Sequence, residues 1–212
     1  MKRVGLITTA AMTLLACATT PSFHSTWRNP SAKELNLEGK RVATLVLSDD
    51  EGIRRGAEDA LAKGISAHGG LGVPAYTFLP KDLVHDKERA RELLEQAEVE
   101  GVVAMRAVAW NEGLLPSLGT YWGSPQSGSF WGPGFWGWGG APGGNKRLDT
   151  LVIVETLVYS LPESKLVWAS RSQTMNPSEV GPFIHKLSRK VGAELEEQGL
   201  LADAARVSAV GF

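Results

Sequence analysis

The 212-residue chain contains a single cysteine, Cys17. One thiol excludes an internal disulfide, a Cys-x-x-Cys redox pair and any zinc site built from several thiolates, so the core stands on packing alone. A surplus of either charge is also missing. The 22 Lys and Arg against 23 Asp and Glu leave a net charge of −1, and nothing in that balance favours nucleic acid as a partner. The catalytic signatures Gly-x-Ser-x-Gly, Ser-x-x-Lys, His-Glu-x-x-His and the Walker loop are absent, and no Gly-x-Gly-x-x-Gly follows an expected strand. His24, His68, His85 and His185 are scattered along the chain without metal-ligand spacing and read as surface or capping residues.

What is present at the amino terminus is an address. Met1-Lys2-Arg3 is followed by an apolar run from Val4 to Leu15, too short for a membrane-spanning helix and suited to a secretion signal. The sequence Leu14-Leu15-Ala16-Cys17 resembles the lipobox of bacterial lipoproteins, in which the cysteine is diacylated and becomes the first residue of the mature chain. The competing reading makes Cys17 an ordinary apolar residue of a conventional signal cut at a later Ala-x-Ala site. Under the lipoprotein reading, residues 1–16 are the signal peptide and 17–36 the lipidated tether. Residues 37–212 form the domain, and Lys2 and Arg3 leave with the signal, taking the charge from −1 to −3. Two or more acyl chains give a stable anchor where one gives a marginal one. By the sorting rule of Gram-negative lipoproteins, Ala18 after the cysteine implies delivery to the outer membrane, on its periplasmic face. No cofactor is expected beyond the covalent lipid on Cys17.

Hydrophobic patterning predicts one α/β domain with a mixed sheet of about five strands. Arg41 to Ser48 is a strand of the nearly continuous apolar kind, followed by a helix whose inward stripe is Ile53, Ala57, Ala60, Leu61 and Ile65. Asp49 or Asp50 can cap that helix, and His68-Gly69-Gly70 ends it. Val73 to Leu79 reads as a strand, Asp86 to Ala97 as a helix and Val102 to Trp110 as a third strand, an order that favours parallel neighbours. Leu148 to Ser160 and Lys165 to Thr174, joined by Leu161-Pro162-Glu163-Ser164, read as an antiparallel hairpin. A closing helix from about Pro177 to Gln198 carries Val180, Ile184, Leu187, Val191 and Leu195 on one stripe, with Gly199 as its stop. Phe23 and Trp27, the large apolar groups of the tether segment, are expected to touch the domain.

Between the third strand and the hairpin lies an insertion, residues 113–145, without a single charge. It holds 11 of the 24 glycines and four of the seven tryptophans. Pro116, Pro125, Pro133 and Pro142 break any helix long enough to cross a bilayer. Tyr121, Trp122, Trp131, Trp136 and Trp138 are the residues expected to make contact. Four readings stand side by side: a mobile loop whose rings fold back on the domain, insertion into lipid headgroups, anchoring of an envelope protein partner, and stacking on glycan sugars.

Two carboxylate features remain. Asp49-Asp50-Glu51 follows the first strand at its carboxyl end, where open α/β sheets place ligands, and three carboxylates there could hold a divalent cation for a metal-assisted hydrolase. A helix start asks for the same residues as cap and dipole partner. Glu155 interrupts the apolar run Leu151 to Tyr159, on the face of Ile153 and Leu157 by alternation; solvent exposure and a buried functional carboxylate are both open.

Taken together, Ser25-Thr26-Trp27-Arg28-Asn29-Pro30, the aromatic Gly-rich segment, Val154-Glu155-Thr156-Leu157-Val158-Tyr159, Lys165-Leu166-Val167-Trp168 and Gln198-Gly199-Leu200-Leu201 resemble a family of uncharacterised bacterial outer-membrane lipoproteins. The strand order is also similar to the amino-terminal domain of TolB and to activators of penicillin-binding proteins. The resemblance implies a non-enzymatic envelope module that works by binding.

Overall fold

The computed structural model describes residues 21–32, 35–84, 86–108, 151–175 and 179–202. These form a mixed α/β domain around a six-stranded sheet. The strands are β1 (Ser22–Arg28), β2 (Arg41–Leu47), β3 (Leu71–Pro74), β4 (Gly101–Val108), β5 (Leu151–Ser160) and β6 (Lys165–Met175). The helices are α1 (Glu51–Ala67), α2 (Lys87–Gln96) and α3 (Val180–Glu197). The sheet order is β1-β6-β5-β4-β2-β3. β2 runs parallel to β3 and β4, as the strand-helix-strand alternation predicts, and β4, β5, β6 and β1 pair antiparallel in turn.

Both faces of the sheet are covered, which is why its central strands read as unbroken apolar runs. One face packs Val42, Val46, Val103, Val158, Val167 and Trp168 against α1 and α3. The other packs Ala43, Leu45, Val102, Ala104, Leu157 and Tyr159 against Ala90 and Leu94 of α2 and the turn carrying Leu79.

The helix ends follow the chemistry of their sequences. Asp50 caps α1 by accepting from Ile53 N at 3.0 Å, and Asp86 caps α2 by accepting from Arg89 N at 3.0 Å. α3 stops where Gly199 takes φ +69°; Gly199 N donates to Glu196 O at 2.8 Å and Leu200 N to Leu195 O at 2.8 Å. That pair of bonds satisfies the last carbonyls, and the buried Leu200 completes the motif.

Four expectations need correction. The sheet has six strands, because Ser22–Arg28, inside the segment read as tether, pairs with β6. Its Ser, Thr and His content suits an edge strand, and Phe23 and Trp27 pack against opposite apolar clusters. The strand expected over 73–79 is β3, Leu71–Pro74, after which a 3-10 turn over Ala75–Thr77 takes the chain away. Pro74 has no N–H to continue the ladder, and Ala75 O accepts from both Phe78 N and Leu79 N. Ile53 is 38% exposed, and the inward side chains at the start of α1 are Arg54 and Glu58. Val180, expected on the inward stripe of α3, is 52% exposed, so the buried stripe starts a turn or two later at Leu187.

Candidate functional site

The end of the sheet formed by the carboxyl termini of β2, β4 and β6 and the amino termini of β5 and β1 gathers the features singled out in the sequence. Register places Val108 opposite Ile153, Ile153 opposite Gln173 and Gln173 opposite Ser22. The segment 109–150 therefore leaves and re-enters the sheet on adjacent strands, at the edge where β1 begins. Cys17, Tyr121, Trp122, Trp131, Trp136 and Trp138 lie outside the described residues.

Two residues inside that row the strands carry a second row, Leu47, Arg106, Glu155 and Arg171. Glu155 is 0% exposed and holds both arginines. Arg106 Nε donates to Glu155 Oε2 at 2.8 Å and Nη2 to the same oxygen at 2.5 Å; Arg171 Nε donates to Oε1 at 2.6 Å, with its Nη2 also on Oε1. Each carboxylate oxygen thus faces one guanidinium fork, a side-by-side geometry that suits arginine and not lysine. The exposed and buried readings of Glu155 are thereby decided in favour of burial. Two guanidiniums thus share one carboxylate. The signal was present in the sequence as Arg106, Glu155 and Arg171 on three apolar strands, but only the register brings them into one row.

A second buried carboxylate, Glu58 on α1, escaped the sequence reading. Its Oε1 accepts from Val46 N at 3.2 Å and Arg54 Nε at 3.1 Å, and its Oε2 accepts from Tyr76 N at 2.7 Å. Arg54 Nη2 goes on to Leu79 O at 2.8 Å. The pair ties α1 to β2 and to the turn after β3, supplying polar partners to backbone groups where the ladder ends. Burial pushes the Glu58 carboxyl above its ordinary range; the Tyr76 and Val46 N–H groups and Arg54 act in the other direction. The spacing Arg54-x-x-x-Glu58 is a common surface pair, so nothing in it signals burial.

The acidic run has structural employment. Asp50 is the α1 cap. Glu51 meets Arg55 Nε at 2.7 Å and Arg54 Nη1 at 3.6 Å, and the bond from Arg55 holds its carboxyl below the usual range. Asp49 offers its backbone carbonyl to Lys81 Nζ at 2.5 Å. Among the described residues no three His, Cys, Asp or Glu side chains are grouped to hold a metal ion. His68 pairs with Glu196 at 2.6 Å and so joins the end of α1 to α3, while His85 lies outside the described residues.

No helix among the described residues is long and apolar enough to cross a membrane. No known protein family and no curated protein matches this sequence. Among solved structures the chain is similar to the PelC dodecamer from Paraburkholderia phytofirmans in two crystal forms. In space group C2 the identity is 13% and the TM-score 0.44; in P6 they are 14% and 0.45; each match covers 84% of this chain and 99% of that one.

Proposed function

We propose that this chain is an outer-membrane lipoprotein of the periplasmic face, anchored through Cys17, that acts as a binding module through its uncharged aromatic insertion and not as an enzyme. The observation that supports this most directly is the pairing of Val108 with Ile153, which sets both ends of the insertion on neighbouring strands of a packed sheet. The buried Arg106–Glu155–Arg171 row holds those strands together two residues further in. A segment rich in Trp and Gly, displayed from a rigid base, has the make-up of a recognition element in which large rings supply contact area. The lipobox resemblance and the short polar stretch after Cys17 support the address.

The test is in-cell crosslinking and affinity recovery, comparing the intact chain with one in which residues 113–145 are replaced by a short Gly/Ser linker. Recovery of a specific envelope component by the intact chain alone is the expected result. Equal recovery from both chains would remove the insertion from the recognition role.

A further inference from the structure

The tether and the insertion leave the domain at the same end. Ser22, the first residue of β1, stands in one row with Gln173, Ile153 and Val108. Cys17 precedes Ser22 by five residues, and a fully extended chain of that length spans at most about 18 Å. An acyl group on Cys17 therefore keeps this end of the sheet close to the bilayer, while β1 carries the opposite end, at Arg28, roughly a further 20 Å along the strand.

From this geometry, and resting on the reading that Cys17 is acylated, we propose that the Ser22–Gln173–Ile153–Val108 end of the domain faces the lipid surface and docks against it. Three described large apolar side chains are exposed, and two of them are at this end. Ile53 (38%) sits in the first turn of α1, just after β2, and Val180 (52%) at the first position of α3, just after β6. The third, Leu71 (53%), starts β3 opposite Arg41 at the far end. Charges of both signs stand at the near end: the acidic run Asp49-Asp50-Glu51, with Glu51 held by Arg54 and Arg55, and Lys81 on the Asp49 carbonyl. Membrane contact by single exposed aliphatic groups is weak alone, and the short tether supplies the local concentration that makes it count.

The acylated thioether at Cys17 leaves no other thiol, so single labels can be placed with Ile53→Cys, Val180→Cys and Leu71→Cys in the full-length, lipidated chain. Each is labelled with a fluorophore and reconstituted into phosphatidylethanolamine and phosphatidylglycerol vesicles bearing headgroup nitroxides. Severalfold stronger quenching at 53 and 180 than at 71 is expected. Equal quenching at all three positions, or the strongest at 71, would overturn the orientation. Mass spectrometry of the same preparation separates the two failures: an unmodified Cys17 overturns the anchor reading itself, whereas an acylated chain without the asymmetry overturns only the docking pose. The labelled residues are exposed and on separate elements, so a folding defect in one variant leaves the other to decide, with circular dichroism as the check.

Discussion

Burying a carboxylate costs several kcal/mol unless partners replace its water, and Glu155 has two arginines doing so. Such triads contribute little net stability, yet removing one member strands the others. Glu155→Ala is expected to lower the unfolding free energy by about 3–5 kcal/mol in denaturant titration, because Arg106 and Arg171 both lose the buried carboxylate they share. The triple change Arg106→Met, Glu155→Leu and Arg171→Met is expected to be neutral or to stabilise by roughly 1–4 kcal/mol. A triple variant as unstable as Glu155→Ala would show that the ions themselves stabilise the fold. Glu58 makes a different prediction, through pH. Its native carboxyl is raised above the unfolded value, so its contribution is fully present below the ordinary carboxylate range and is lost as pH rises through the raised value. The stability of the wild type relative to Glu58→Gln should accordingly be largest below the ordinary carboxylate range and shrink as pH rises above it, in paired thermal melts. A difference that grows with pH would contradict the direction of the shift.

At the scale of elements, α1 and α3 approach closely through glycines. A Cβ at Gly64 would stand 2.8 Å from Ser188 O, and one at Gly192 2.9 Å from Gly64 O. Gly64→Ala gains about 1 kcal/mol of helix propensity but forces two backbones apart, and overpacking of that kind costs about 1–3 kcal/mol. The net expectation is a lower melting temperature. Gly56→Ala, on the same helix with nothing within 4 Å of its Cβ, gains only the propensity and should raise it. Melting curves followed by circular dichroism check both signs. The elements themselves were largely legible in the sequence, because β2, β4 and β5 are nearly continuous apolar runs and α2 carries apolar residues at helical spacing. What misled was local. Ile53 looks like the start of an inward stripe, yet the inward side there faces backbone N–H groups of Val46 and Tyr76, which need an acceptor and receive Glu58. β1 carries too few apolar residues to announce itself, since an edge strand buries less than a central one.

For the molecule as a whole, the described residues build two apolar clusters, one on each side of the sheet. Under the proposed binding role, replacing residues 113–145 by a short Gly/Ser linker is expected to leave the melting temperature within a few degrees while removing partner recovery. Unfolding would instead place the tryptophans in the core. The same scale decides how the anchor and the insertion relate. Sequence separates Cys17 from the aromatic segment by about a hundred residues, and strand pairing sets Ser22, Val108 and Ile153, described residues flanking the two, in one row at one end of the sheet.

The sequence by itself determined most of the element types, the hairpin, an Asp cap on α1 and the stop at Gly199, all of which depend on residues a few positions apart. It also carried the lipobox resemblance and the uncharged insertion. Only the tertiary structure decided that Glu155 is buried between Arg106 and Arg171, that Glu58 replaces Ile53 on the inner face of α1, and that β1 closes the sheet beside β6. For Glu155 the physical reason is register. β5 is apolar on both faces, so alternation cannot say which neighbour meets which face; register, set by pairing over 16 to 49 residues of separation, does.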